Sequence, residues 1–323
     1  MKKIILALLL LFAAWMLYTY YQKEQLPDIG EEYRYSVTDV DDIAEIRINY
    51  RLMDPDILLQ RQKNGWMLNQ KYSVRNDAIS NLLNAINNLE LKYIPTSAAQ
   101  QNMLRDLATT GTRVEIINRR GEVMKSYFVG GNTPDETGTF IIMDGSQSPA
   151  IANISGLDGS IRPYFIMPEI EWRDRTVFRE EYDEISELMV EYPQQASASF
   201  VIRLQDNDFE VYPLKDQIDV SKRRVRSGAV EAYLHQYKMV SAEALIDDDI
   251  LYSELVDKTP FSRITIRRKD GTAYHTAFYP LMKSDGANQF IERYHLIDDK
   301  GNLFLVQNRL FGKLFVDLDN FFQ

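Results

Sequence analysis

The two halves of this chain repeat one another, and that duplication limits its possible folds more than any other feature. Ile43-Ala44-Glu45-Ile46-Arg47-Ile48-Asn49-Tyr50 matches Ile185-Ser186-Glu187-Leu188-Met189-Val190-Glu191-Tyr192 at an offset of 142. Both read I-x-E-(I/L)-x-(I/V)-x-Y, an alternation that predicts a half-buried strand. At an offset of 143, Leu58-Leu59 through Trp66 parallels Val201-Ile202 through Phe209, predicting a strand, a polar turn and an aromatic residue that opens the return strand.

Helices follow in each half. Ile79, Leu82, Leu83, Ile86 and Leu89 fall on one face behind a cap at Asn76 or Asp77, and Val230, Tyr233, Leu234 and Tyr237 do so behind Ser227. Second, shorter helices are predicted from Ser97 to Ala108 and from Ile250 to Val256. Arg113-Val114-Glu115-Ile116 to Gly121 then matches Arg263-Ile264-Thr265-Ile266 to Gly271 at an offset of 150, continuing to Phe128 over Phe278. A last hairpin sets Phe140-Ile141-Ile142-Met143-Asp144-Gly145 beside Tyr294-His295-Leu296-Ile297-Asp298. The fold class expected is α+β: two tandem copies of a β-ββ-α-α-ββ-ββ unit, mostly antiparallel sheets with helices on one face, preceded by one transmembrane helix.

That helix is expected from the N-terminus. Lys2 and Lys3 precede an uncharged apolar run from Ile4 to Leu17, which Tyr18-Thr19-Tyr20-Tyr21 extends to Lys23. Eighteen residues at about 1.5 Å each span roughly 27 Å, close to a bilayer core, with tyrosines suited to the interface. The rival reading is a cleaved signal peptide. Small residues at a cleavage site are poorly placed, and a lipid anchor is excluded because the chain has no cysteine. The basic start and the acidic Glu24, Asp28, Glu31 and Glu32 after the run set the N-terminus in the cytoplasm and the rest in the periplasm of a single-pass protein of the inner membrane, in contact with lipid through residues 4–21. The expected divisions are an anchor at 1–22, a short acidic stalk at 23–42, the first repeat at 43–156, a linker at 157–184 and the second repeat at 185–323.

Hydrophobic residues make up 45% of the chain and charged residues 26%, as in folded globular proteins. The formal net charge of -10 repels phosphate backbones, which argues against nucleic acid as a general ligand. Lys222, Arg223, Arg224 and Arg226 are the local exception and read as a solvated loop ahead of a helix.

In order along the chain, Gly65-Trp66-Met67-Leu68, the helix from Asp77 to Leu89, Val129-Gly130-Gly131, Phe140-Ile141-Ile142 and Trp172-Arg173-Asp174-Arg175-Thr176-Val177-Phe178 resemble one uncharacterised bacterial family, catalogued as domain of unknown function 4340. The resemblance runs from about Ile43 to Leu214. It implies a membrane anchor followed by an extracytoplasmic region, in a family some of whose members look like companions of membrane transport systems. It implies no catalytic residues.

The residues themselves offer little chemistry. Cysteine nucleophiles are absent, and His235, His275 and His295 lie in no catalytic motif. His235 reads as a partly buried structural residue beside the stripe of its helix. His275 and His295, on strands of one sheet, are weak candidates for a metal site with Asp298. Asp247-Asp248-Asp249 lacks the spacing of a calcium loop and reads as a helix cap. Gly130-Gly131 sits between strands and reads as a hairpin loop, not an anion nest. Trp172, Arg173, Asp174 and Arg175 form the most distinctive stretch. The plain reading buries Trp172 and pairs Asp174 with a nearby arginine; the sharper one docks a membrane or envelope protein partner on these residues.

No catalytic, cofactor-binding or firm metal residue emerges. The function expected is a non-enzymatic binding or scaffold protein of the bacterial envelope, accessory to a membrane transport system. The alternatives are a carboxylate-dependent envelope hydrolase and a ligand sensor that binds between the two repeats.

Overall fold

The I-x-E-I-x-I motif already contains its own irregularity. Ile43, Ile46 and Ile48 are all fully buried, yet the step from 43 to 46 is odd and a flat strand would turn one of the two outward. In the computed structural model, which describes residues 12, 15, 16, 30–157, 159–206, 208–215, 218–285 and 288–323, the register shifts between Ile43 and Glu45. This bulge brings Ile43 back to the core face. The second half repeats it: the register shifts between Ile185 and Glu187, and Ile185, Leu188 and Val190 are buried.

Along the first half run β1 (Ile43–Asn49), β2 (Ile57–Gln62), β3 (Gly65–Leu68), β4 (Tyr72–Ser73), helix α1 (Asn76–Asn87), β5 (Leu89–Tyr93), α2 (Ser97–Thr110), β6 (Thr112–Asn118), β7 (Val123–Asn132), β8 (Thr139–Met143) and β9 (Ala150–Ile154). Next come α3 (Arg162–Phe165), α4 (Glu169–Trp172), β10 (Thr176–Phe178), β11 (Ile185–Glu191), β12 (Phe200–Gln205), β13 (Asp208–Pro213), α5 (Ala229–Leu234), β14 (Val240–Ser241), β15 (Ala244–Ile246), α6 (Asp249–Val256), β16 (Ser262–Arg268), β17 (Ala273–Asp285), β18 (Asn288–Asp298), β19 (Leu303–Gln307) and α7 (Asn308–Phe311). Contacts group the chain into two compact units. One holds the residues up to Lys63 with Ala78–Met167; the other holds Asn64–Asp77 with Pro168–Gln323. The β3–β4 hairpin therefore belongs to the second unit.

In the first unit the strands lie in the order β2-β1-β6-β7-β8-β9-β5. In the second the sheet runs β13-β12-β11-β16-β17-β18-β19-β15, the same order over the corresponding strands. Pairing agrees residue by residue: Ile46 faces Ile116 as Leu188 faces Ile266, and Ile46 faces Leu59 as Leu188 faces Ile202. Each buried aliphatic chain contributes roughly 1.5–3 kcal/mol.

The simple offsets fail at two places. Thr112 pairs with Val129 whereas Ser262 pairs with Phe278, so Val129, not Phe128, stands where Phe278 does. A register shift between Ile116 and Ile117 inserts one residue into β7, and β17 lacks it. The last hairpin is displaced likewise: Met143 is opposite Tyr127 as Asp298 is opposite Thr276, so Met143 is the counterpart of Asp298.

The expected fold class is corrected. The described residues are mostly antiparallel sheet, with more strand than helix, so the fold rests on its sheets and not on an α+β layer. The fourteen-residue α2 buries only Met103 and Leu107, and the eight-residue α6 only Leu255, too little apolar surface to roof a sheet. Between the two helices of each half lies an unexpected strand, β5 or β15, which ends its sheet by pairing with β9 or β19. No helix among the described residues is long and apolar enough to cross a membrane. Apart from Phe12, Trp15 and Met16, the expected anchor at 1–22 lies outside the described residues, as does the first part of the stalk.

The remaining stalk is not a spacer. Tyr35 and Val37 are buried, the Val37 amide donates to the Ile86 carbonyl, and Tyr35 meets Tyr127 edge to face. The expected linker at 157–184 likewise carries α3, α4 and β10. At the C-terminus, Arg223 pairs with Asp319 at 2.6 Å and Arg226 donates to the Asn320 carbonyl. The basic cluster thus holds the last residues against the second unit.

Candidate functional site

The β3–β4 hairpin and the segment after α4 are drawn together by backbone bonds. The Arg75 amide donates to the Trp172 carbonyl at 2.8 Å, and the Asp174 amide donates to the Ser73 carbonyl at 2.8 Å. This pairing sets Arg173 beside Tyr72, with its guanidinium carbon 3.9 Å from the ring centre. With β10, β16, β17 and the turn after β18 they enclose a cavity of about 360 Å³, lined entirely by the second unit.

Five cations and three carboxylates line it: Lys71, Arg173, Arg179, Arg268 and Lys300 against Asp174, Glu180 and Asp298. The carboxylates are all engaged. Glu180, only 2% exposed, accepts from Arg268 Nε at 2.7 Å and Nη2 at 2.5 Å, a two-point bond that pushes the Arg268 pKa further up. Asp174 accepts from Arg179 at 2.8 Å and from the amide and hydroxyl of Thr176.

Buried Asp298 accepts from the amides of Lys300 and Asn302 and from Asn302 Nδ2 at 2.9 Å. The Tyr274 hydroxyl donates to it at 3.3 Å. Burial, reinforced by the Asp298 charge, holds that phenol well above its ordinary pKa, so it remains a donor. Asn302 Oδ1 in turn accepts from Arg173 Nη2 at 3.1 Å. Asp298 therefore orients Asn302, and Asn302 orients Arg173, while the carboxylate itself is spent.

The remaining cations keep no carboxylate partner among the described residues. Lys71 Nζ lies 4.7 Å from the Tyr72 ring centre, Lys300 Nζ 5.7 Å from that of Tyr274, and Arg173 rests on Tyr72. Within a chain of net charge -10 the cavity is a local positive site.

It has no duplicate in the first unit. Asp298, Tyr274 and Arg268 correspond through the pairing register to Met143, Lys125 and Asn118. The hydrogen-bonding relay cannot form from those residues.

The structure separates the residues singled out in the sequence. Trp172 is fully buried, so it presents nothing to a partner. Arg175 donates to the Glu243 carbonyl and its own carbonyl accepts from the Ala242 amide. Arg173 and Asp174 enter the cavity, and Asp174 pairs with Arg179. His275 and His295 occupy one face of the β17–β18 ladder, but Tyr279, not His275, is opposite His295. That is four positions away, roughly 13 Å. Asp298 points to the other face, so the three do not assemble, and no group of metal-binding side chains occurs among the described residues. Burial and nearby Lys258 hold His295 below its ordinary pKa.

Exposed His235 lies against Tyr182 at 4.6 Å, not partly buried as its helical stripe suggested. Asp248 caps α6 by accepting from the Leu251 amide at 2.9 Å. Gly131 donates its amide to Asp106 at 2.8 Å, and a Cβ at Gly130 would stand 2.8 Å from Leu107 Cδ2. The glycine pair thus admits α2 close to β7.

Lys71, Tyr72, Tyr274, Lys300 and Asn302 were not indicated by any motif. They come from three distant segments, and no local spacing marks them as neighbours.

Fold and site together define a class: a duplicated antiparallel β protein whose second compact unit carries a cation-rich cavity. The chain belongs to the family described as Domain of unknown function (DUF4340), whose model matches residues 66–258. That span takes in Lys71, Tyr72, Arg173 and Asp174, and ends before Asp298, Lys300 and Asn302. No curated protein and no solved structure matches the chain.

Proposed function

We propose that this protein is a non-enzymatic binding protein of the bacterial envelope, acting on the outer side of the cytoplasmic membrane, with the second-unit cavity as its recognition site. The observation that carries the binding reading is the state of the cavity's charged groups. Every carboxylate is occupied by donors, so none stands ready as an acid or base, while three cations without a carboxylate and three aromatic rings, those of Tyr72, Tyr274 and Phe304, line a space of ligand size. The envelope location is supported by the uncharged apolar run from Ile4 to Leu17 behind Lys2 and Lys3. Service to a membrane transport system rests on the family resemblance.

The test is affinity capture of the full-length chain from detergent-solubilised membranes, combined with thermal-shift screening against sugars, metal ions, peptides and small anions. A ligand or partner whose binding is lost on substitution of Tyr72 or Arg173 is the expected result. Recovery of the chain outside the membrane and envelope fractions overturns the location. An absence of any saturable ligand or partner overturns the binding role.

A further inference from the structure

We infer that the cavity binds a small ligand through an oxyanion, a carboxylate or phosphate group held between Arg173, Lys71 and Lys300; this rests on the binding role proposed above and names the ligand's chemistry. Three independent observations lead there. The first is charge: after Glu180, Asp174 and Asp298 have taken their partners, Arg173, Lys71 and Lys300 remain on the cavity wall without a carboxylate. Such a site attracts an anion, because bringing one in relieves the mutual repulsion of the cations.

The second is preorganisation. Guanidinium groups recognise carboxylates and phosphates through two parallel N–H donors, and the match depends on the plane of the fork. Here the Tyr72 ring sets that plane at 3.9 Å, and the Asn302 amide fixes its rotation by taking one donor at 3.1 Å. Asn302 is itself locked by two bonds to buried Asp298. An arginine held this way loses little freedom on binding, and its remaining donors are free to point into the cavity.

The third is asymmetry. The duplicated scaffold repeats its strand order and register, yet Asp298, Tyr274 and Arg268 give way to Met143, Lys125 and Asn118 in the first half. Asp298, which orients Arg173 through Asn302, is thus not demanded by the common fold, and neither is the tyrosine that donates to it.

The experiment uses the full-length chain in detergent, with inorganic phosphate and citrate as separate probes, titrated by calorimetry at low and high sodium chloride. Saturable binding of at least one anion, weakened by salt, is expected. Binding of phosphate alone identifies a phosphate-bearing ligand, and of citrate alone a carboxylate-bearing one. The Lys71→Gln/Lys300→Gln variant should weaken binding at least about tenfold, since each charge-assisted bond contributes on that scale. Both lysines are exposed and their removal relieves repulsion, so its unliganded Tm should be no lower than that of the parent. Arg173→Lys, which keeps the charge but removes the planar fork, should weaken binding as well.

Failure of both anions to bind, or binding that the lysine variant leaves unchanged, overturns the inference. If a neutral ligand instead stabilises the protein in a manner sensitive to Tyr72→Ala, the oxyanion chemistry falls and the binding role stands.

Discussion

Arg173 lies with its guanidinium 3.9 Å from the centre of the Tyr72 ring, although the two residues are far apart in the chain. The contact ties the β3–β4 hairpin to the segment that leads into the second sheet, and it forms one wall of the cavity. A cation over an aromatic face gains about 0.5–2 kcal/mol, depending on how far water is excluded. Tyr72→Ala should therefore lower affinity for the cavity ligand several-fold in calorimetry, and Tyr72→Phe should leave it close to the parent value. Equal losses in both variants would assign the effect to the hydroxyl and discard the ring contact.

Trp172 is among the largest fully buried side chains, and its carbonyl accepts the Arg75 amide. Truncation leaves a cavity and removes the transfer energy of the indole. Trp172→Ala should cost roughly 3–5 kcal/mol in urea unfolding. A variant of normal stability that loses only a protein partner would restore the docking role for this residue.

The Glu180–Arg268 pair joins the segment after β10 to the end of β16, with the acid buried and the arginine about one-third exposed. Glu180→Gln keeps the shape but removes the charge that holds the guanidinium. The exposed side of Arg268 lets water compensate in part, so the loss should be that of a charged hydrogen bond, roughly 1.5–3 kcal/mol. A change below about 0.5 kcal/mol in chemical denaturation would mean that solvent replaces the partner fully.

Asp144 is held below the ordinary carboxylate range, chiefly by the hydrogen bond from Arg113, with Ser126 as a further donor. A depressed folded pKa contributes stability that is complete above the unfolded value near pH 4 and is lost as pH falls through the folded one. Asp144→Asn should melt below the parent at pH 6, and the difference should close as the pH drops under about 4. A gap that stays constant across this range would show that protonation of Asp144 is not coupled to folding.

Much of the scaffold could be read before the structure, because alternation within a strand and repetition between halves are local properties. The motif around Ile43 and its copy around Ile185 both form the expected strands, while the bulge each carries appears only in the pairing register. The helical stripes were equally legible: Val230, Tyr233, Leu234 and Tyr237 are all buried. Misreadings came where a short segment depends on a distant partner. Leu89 continues the stripe of α1 in sequence, yet it opens β5, whose partner β9 lies beyond three other strands. Ala244–Ile246 is too short to show any period and becomes a strand only by pairing with β19.

The site was less legible than the scaffold. The sequence offers Asp298 as a metal ligand with His275 and His295, but strand parity sends it to the opposite face, where it orients Asn302. Within Trp172-Arg173-Asp174-Arg175 the plain reading holds, with Trp172 buried and Asp174 paired with Arg179, but no local pattern marks Arg173 as the residue that enters the cavity.

The duplication, the alternating strands and the helix faces were determined by the sequence itself, because each follows from the periodic burial of neighbouring side chains. Only the tertiary structure decided that Tyr72, Arg173 and Asn302 would meet, and that the second compact unit, which takes the β3–β4 hairpin from the first half of the chain, would carry their cavity. Those contacts depend on pairings between distant segments and on one-residue shifts of register, and neither has a signature in the order of residues along a single stretch of chain.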